Sequence, residues 1–449
     1  MQTGRRAFGL RSTSGENKLT IMRKALFITL AALLTGGAAF AQAPEEKPAH
    51  FKFYGFIRNY LVADSRAVSA GTEDLYFYMP KDISMKDGYD QNAGFNWRFL
   101  SLTTRLGLDV SGYKWGSMGV SGKVEADFYT LSGSTPILRL RQAFVKLNWD
   151  DNPVTLTLGQ AWHPMAADMP HMNNLETGAP FNPFNRSPQI TADVNLGSGL
   201  TLTASLLYLN HYLPTGPAGK SKDYYKYGLP ELYLGLSYKS YAFLGRVGLD
   251  MTNIRPYRTL TDWRVQDGGG KTIEVKSLMT TFSPFLYAQY TKGLFQLKAK
   301  TILAQSGEHL NLLSGYGVHS FNQDGTIEYT PMQDWASFLS FSYGKKFQVM
   351  AMLGYMKQLG TTKDLADNRM WLNTSADTKI QQAFRATPTV AWNLGKFTIS
   401  LEYNLTAAEF GTGDFDSRGL QRLPAPGAAA ASPHWVLNHR FICMTKFNF

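Results

Sequence analysis

The sequence predicts an all-β protein, a transmembrane antiparallel β-barrel of about sixteen strands. Three observations carry that expectation. From residue 51 to the C-terminus, runs of mostly 10 to 15 residues alternate apolar and polar side chains with a period of two. Short connections between these runs alternate with long ones. The chain also reads as exported, with a leader near its start and an aromatic last residue, Phe449.

Composition excludes several alternatives for the 449 residues. Hydrophobic content is 44%, charged content 18% and aromatic content 13%, with 41 Gly and 23 Tyr, which favours turns and amphipathic rings over helices. So many aromatics argue against disorder. The single Cys443 excludes a disulfide framework or a multi-thiolate zinc site.

The leader begins at Met22. Arg23 and Lys24 form its charged start, Ala25 to Leu34 its apolar stretch, and Ala39-Phe40-Ala41 its small-x-small cleavage site. Residues 1–21 then read as a start-site extension, 22–41 as the signal peptide, 42–50 as a periplasmic linker and 51–449 as the barrel. The apolar stretch is too short to span a bilayer. Residues 1–41 carry a net +5 of the formal +11, so the rest keeps only +6, scattered along the chain. That pattern gives no basic stripe for nucleic acid.

Sixteen strands are expected, at 51–63, 98–111, 116–130, 137–149, 154–163, 188–197, 200–212, 230–240, 242–253, 277–291, 294–305, 334–343, 346–358, 380–394, 397–408 and 434–449. In the second, Leu100, Leu102, Thr104, Leu106, Leu108 and Val110 share one face, opposite Arg105 and Asp109. In the third, Val120, Val124 and Phe128 oppose Lys123, Glu125 and Asp127. Leu232, Leu234 and Leu236 oppose Glu231 and Tyr233, while Phe397, Ile399 and Leu401 oppose Glu402 and Asn404. Soluble sheets alternate too, but these runs exceed the usual five or six residues and suit tilted membrane strands of about 9–11. In lipid every backbone group must pair, so such strands must close into a barrel.

The connections agree. Links at 112–116, 150–153, 197–199, 240–241, 292–293, 344–345 and 395–396 are short, and those between them are longer, the outer-membrane plan of periplasmic turns and extracellular loops. The last strand places Leu437, His439, Phe441, Cys443, Thr445, Phe447 and Phe449 on one face, so Cys443 reads as an inert lipid-facing thiol.

Sixteen strands leave a lumen too wide for side chains to fill, so an aqueous channel is expected. Its lining is expected to include Arg58, Arg105, Lys123, Glu125, Asp127, Arg139, Arg141, Arg246, Lys298, Lys300, Arg385 and Arg440, on a uniformly polar inner face. Arg139 and Arg141 project from one face roughly 6.6–7 Å apart. They can form a ladder for carboxylates or phosphates, or pair with Glu125 and Asp127 on the neighbouring strand. The third long link, 163–188, holds five prolines and three methionines with little charge, which suits a loop folded inward to narrow the bore, with Glu176 and Arg186 facing the channel.

No metal or cofactor is expected: His163, Met165, Met169 and His171 match no defined ligand spacing. Gly268-Gly269-Gly270 lacks the Lys and helix of a phosphate loop. The Asn373 and Asn404 glycosylation-like triplets read as coincidence.

The segments Arg139-Leu140-Arg141-Gln142-Ala143-Phe144-Val145, Leu158-Gly159-Gln160-Ala161-Trp162 and Arg186-Ser187-Pro188-Gln189-Ile190 resemble, in that order, the DcaP-like trimeric porins of Gram-negative outer membranes. The likeness covers about fifty residues closely and the rest through strand plan. It implies a homotrimer of sixteen-stranded channels in outer-membrane lipid, with Arg139, Arg141 and Arg186 serving small anionic solutes such as dicarboxylates. A last strand ending in Phe449 is similar to the signal that barrel-assembly machinery recognises. One departure is that 42–50, with Pro44 and Pro48, is too short for the helical trimerising segment often found at the start of that family.

The expected function is therefore passive diffusion of small hydrophilic solutes with a mild preference for anions. The alternatives are a non-conducting structural or adhesive barrel and a barrel enzyme. An enzyme would need a nucleophile, His and carboxylate in mutual reach, which nothing in the placement of the eight His residues signals.

Overall fold

The computed structural model describes residues 49–71, 75–130, 136–210, 227–261, 272–313, 315–322, 326–366, 370–372, 380–411, 415–420 and 433–449. The extension, the leader and residues 42–48 of the linker lie outside them, as do Gly268–Gly270 and the Asn373 triplet. No helix among the described residues is long and apolar enough to cross a membrane.

Sixteen antiparallel strands close into a ring. They are β1 (His50–Arg66), β2 (Ala93–Leu100 continued by Arg105–Trp115), β3 (Met118–Tyr129), β4 (Ile137–Trp149), β5 (Asn152–Trp162), β6 (Arg186–Gly197), β7 (Leu200–Leu207) and β8 (Leu229–Lys239). There follow β9 (Phe243–Ile254), β10 (Met279–Lys292), β11 (Phe295–Gln305), β12 (Ile327–Gly344), β13 (Phe347–Thr361), β14 (Ile380–Ala386 continued by Thr389–Leu394), β15 (Phe397–Phe410) and β16 (His434–Asn448). Each strand pairs with its sequence neighbours, and β1 closes the ring on β16 with Leu61 opposite Cys443 and Asp64 opposite Arg440. Closure leaves no unpaired edge, which is what a bilayer requires. The strand plan is thus the one the period of two predicts.

The outer face is apolar and exposed: Leu106, Leu234, Leu286, Leu353, Leu401 and Phe441 all project from it. Phe95, Trp97 and Phe99 of β2 continue it. The short turns lie on one rim, where the Asn448 amide of the last strand donates to Lys396 O in the β14–β15 turn.

Two expectations need correction. The Leu100-to-Val110 run is not one uninterrupted face. Opposite the four-residue step Phe56 to Tyr60 on β1, β2 takes the longer step Arg105 to Leu100, an extra residue that forms a bulge. Thr103 takes φ 67 there, and Leu102 turns inward against Tyr60 and Val62. An odd insertion reverses which residues face out, so Phe99 and Leu106 are both external.

The inner face, moreover, is not uniformly polar. A large apolar cluster lies inside the barrel, where Tyr233, Phe285, Tyr287, Phe338, Met352 and Met356 of the wall meet Met165, Met172 and Phe181. The last three belong to L3, the loop 163–185 between β5 and β6. Leu310, Leu312 and Leu313 join them from L6, the 306–326 connection between β11 and β12, which contains the short 3-10 helix Gly307–Leu310. Apolar loop residues folded into the bore need apolar wall partners.

Candidate functional site

L3 is held inside the barrel through its own backbone. Its peptide groups leave water, so each must find a partner, and the wall supplies them. Lys300 Nζ donates to Met165 O at 2.8 Å, Asp168 O at 3.0 Å and Asn182 Oδ1 at 2.8 Å. Lys298 Nζ donates to Met169 O at 2.9 Å, and Arg385 donates to Ala179 O at 2.7 Å. Arg440 reaches Asn174 Oδ1 at 3.0 Å, and Tyr60 OH donates to Asn173 O at 3.1 Å. The Asn173 amide in turn donates to Glu402, and the His171 amide to Ser340 Oγ at 2.8 Å. Phe181 is wholly buried against Gly354 of β13, where an added Cβ would sit 2.5 Å from its Cγ. Glycine at 354 is what lets the ring seat.

This changes the reading of several expected lining residues. Arg58, Lys300, Arg385 and Arg440 lie on the inner face as the alternation requires, yet each is nearly or fully buried. Arg58 donates to Thr103 Oγ1 at 2.8 Å and pairs with Glu176 at 3.4 Å. Arg246 pairs with Asp168 of L3 at 3.0 Å. These cations anchor the loop. Arg186 is corrected too: it is the first residue of β6 rather than part of the loop, buried over the Trp162 and Phe184 rings at 4.8 and 5.1 Å.

Glu176 is the L3 carboxylate that remains open, 43% exposed, between Arg58 and Lys446 at 3.4 Å each. Burial pushes its carboxyl up, but Arg58, Lys446 and Arg105 outweigh that and hold it at about 2. His171 is lowered to about 4 by burial and by Lys298, so it is neutral at pH 7.

The remaining expected residues gather on β2–β4. Arg139 grips Asp127 with two hydrogen bonds of 3.0 Å. Arg141 bridges Glu125 at 2.7 Å and Asp127 at 2.5 Å. Arg105 lies 3.6 Å from Glu125, and Lys123 binds Asp109 at 2.6 Å and Tyr54 OH at 2.9 Å. The pairing alternative for Arg139 and Arg141 is therefore realised. The pairs are asymmetric in depth: Asp127 and Glu125 are 0% and 6% exposed, whereas Arg139 and Arg105 keep 22% and 18%. Guanidinium edges cover buried carboxylates.

Below L3, toward the rim with the short turns, lies a cavity of about 470 Å³. Met169, His171, Asn173 and Glu176 of L3 form one side, and Lys298, Gln348, Asn393, Thr398 and Lys446 the other. Lys446 was missed in the sequence although it shares the inward parity of Arg440 on β16. Nor does any sequence pattern signal that His163, Glu231, Asp250 and His309 meet: His163 Nε2 is 2.7 Å from Glu231, and His309 Nε2 is 3.2 Å from Asp250.

No protein-family model matches the sequence, and neither does any curated protein. Among solved structures the chain is similar to the outer membrane channel DcaP of Acinetobacter baumannii, with a TM-score of 0.61 and 17% identity over 91% of this chain and 100% of that one. It is also similar to an anion-selective porin from Comamonas acidovorans, at 0.51 and 10% over 90% and 100%. In-vitro folded OmpT, an outer membrane protein of Vibrio cholerae, matches at 0.50 and 13% over 91% and 100%. At such identities the likeness is one of fold: a sixteen-stranded barrel of the outer-membrane porin type.

Proposed function

We propose that this protein is an outer-membrane porin that lets small hydrophilic solutes diffuse past L3, with a mild preference for anions such as carboxylates. One observation supports the passage more than any other. L3 enters a closed barrel and narrows it, yet leaves a cavity of about 470 Å³ bordered by Lys298, Lys446 and Glu176. Such a constriction selects by size and field, with no chemical step.

The anion preference is supported by the asymmetry on β2–β4. Arg105 and Arg139 keep 18% and 22% exposure, whereas Glu125 and Asp127 keep 6% and 0%, so the cations are the charges nearer the bore. Glu176 and Asp109, 43% and 39% exposed, oppose it and keep it mild. Rings of exposed cations are how anion pores select. The similar porin from Comamonas acidovorans is anion-selective, which agrees with this reading. The resemblance to DcaP-like porins adds a homotrimer as the assembled form.

A catalytic reading finds less support. Ser342 Oγ approaches His171 Nε2 at 3.4 Å, but Gln296 occupies the same nitrogen at 2.7 Å. Gln296 Oε1 accepts from Nε2, so that nitrogen carries the ring proton and cannot take one from the hydroxyl.

Liposome swelling tests the proposal. Vesicles carrying the purified protein should swell in small sugars and in small carboxylate salts, faster in the latter at equal size. Correctly folded protein that gives no swelling in either would overturn it.

A further inference from the structure

The root of L3 carries a second cluster that the diffusion reading does not use. His163 follows β5 directly, His309 sits in the 3-10 helix of L6, and Glu231 and Asp250 face them from β8 and β9. All four side chains are at most 2% exposed. His163, Glu231 and Asp250 each offer one ligand atom within 4.8 Å of the others, and His309 Nε2 borders both carboxylates. His163 Nε2 lies 2.7 Å from Glu231 Oε1 and 3.7 Å from Asp250 Oδ1, and His309 Nε2 lies 3.4 Å and 3.2 Å from Glu231 Oε1 and Asp250 Oδ2.

Those separations have a chemical meaning. Zinc takes imidazole nitrogen at about 2.0–2.1 Å and carboxylate oxygen at about 2.0–2.2 Å, so the edges of its tetrahedron are roughly 3.3 Å. His163 Nε2 to Glu231 Oε1 and to Asp250 Oδ1, at 2.7 and 3.7 Å, straddle that value. Glu231 Oε2 and Asp250 Oδ1 accept no hydrogen bond from the described residues. Two buried carboxylates side by side repel each other and lose hydration, and a cation between them offsets both costs. Two imidazoles beside two carboxylates suit a cation of the zinc class, whereas calcium and magnesium prefer oxygen alone.

We propose that His163, Glu231, Asp250 and His309 bind one divalent transition cation of the zinc class, which staples the root of L3 and the 3-10 helix of L6 to the barrel wall. No other charged side chain is needed: Glu308 turns away to Ser306 Oγ at 2.8 Å, and Asp168 is taken by Arg246. One contact opposes the metal. His163 Nδ1 accepts the Met165 amide at 3.2 Å, an arrangement that places the ring proton on Nε2. Ligation by Nε2 moves that proton to Nδ1 and breaks the contact, so residues 163–165 must shift when the cation enters. Metal loading is therefore coupled to the backbone of the constriction loop. Sequence spacing could not reveal this site, because its ligands come from four separate elements.

The test uses the full-length protein in detergent, stripped with a chelator and titrated with Zn²⁺ alone by calorimetry, then with Co²⁺ in the visible range. One equivalent per chain and a tetrahedral Co²⁺ spectrum are expected. Glu231→Gln and Asp250→Asn should each weaken Zn²⁺ binding by roughly tenfold or more, while His319→Ala, which alters a histidine bound to Asp364 O outside the cluster, should not. Heat-modifiable gel mobility confirms that each variant is folded, and His309→Ala replaces any that is not. Absence of Zn²⁺ binding by the wild type, or binding unchanged in these cluster variants, would overturn the proposal.

Discussion

Asp127 has no exposed surface, yet Arg139, Arg141 and Arg186 all bear on it. Arg139 stays 22% exposed and stacks over the Tyr129 ring at 4.3 Å, whereas Arg141 is buried between both carboxylates. The two arginines therefore do different work, although they look equivalent in sequence. A unit charge about 7 Å from an ion's path in water is worth ~0.6 kcal/mol, about a threefold factor in local ion concentration. Arg139→Ala should lower the anion-to-cation permeability ratio by about that factor, read from reversal potentials. Arg141→Ala should instead cost stability, about 1–3 kcal/mol, because Glu125 and Asp127 each lose a buried charged hydrogen bond, and thermal unfolding reads that loss. Glu176 gives a pH signature. Its carboxyl is depressed from 4.5 to about 2 in the folded protein, so its contribution is present above about 4.5 and disappears as pH falls through about 2. Unfolding temperatures measured across that window should fall more in the wild type than in Glu176→Gln.

L3 is the element that narrows a wide barrel. Its prolines and methionines made an inward fold legible, since exposed loops rarely carry so much apolar surface. Its anchors were legible only as a set of inward cations, because alternation fixes which side of a wall a residue faces and not what meets it there. Arg58, Lys300, Arg385 and Arg440 read as channel lining for that reason, until the loop filled the space before them. The bulge at Thr103 was hidden in the same way: a period of two cannot register an inserted residue when Leu flanks it on both sides. Gly354→Ala tests the loop's seat. The new methyl would meet Phe181 Cγ and Cβ at 2.5 and 2.9 Å, overpacking that costs about 1–3 kcal/mol. The loop should then leave its seat, raising single-channel conductance and open-channel noise; conductance equal to the wild type would show that L3 does not set the bore.

At the scale of the whole molecule, strand number and order were readable because lipid enforces one rule over the entire chain: oily side out, backbone paired, no free edge. Nothing comparable governs the interior, where distant residues such as His163 and Asp250 meet only after the ring has closed. With an exposed apolar wall outside and a narrowed bore within, the proposed function rests on ions crossing between L3 and the inner face. Planar bilayers with a salt gradient measure this crossing. Steady conductance is expected, with a reversal potential of the sign set by anions and larger than that of Arg139→Ala. A silent but folded protein would refute the porin reading, and a reversal potential of the opposite sign would refute its anion preference.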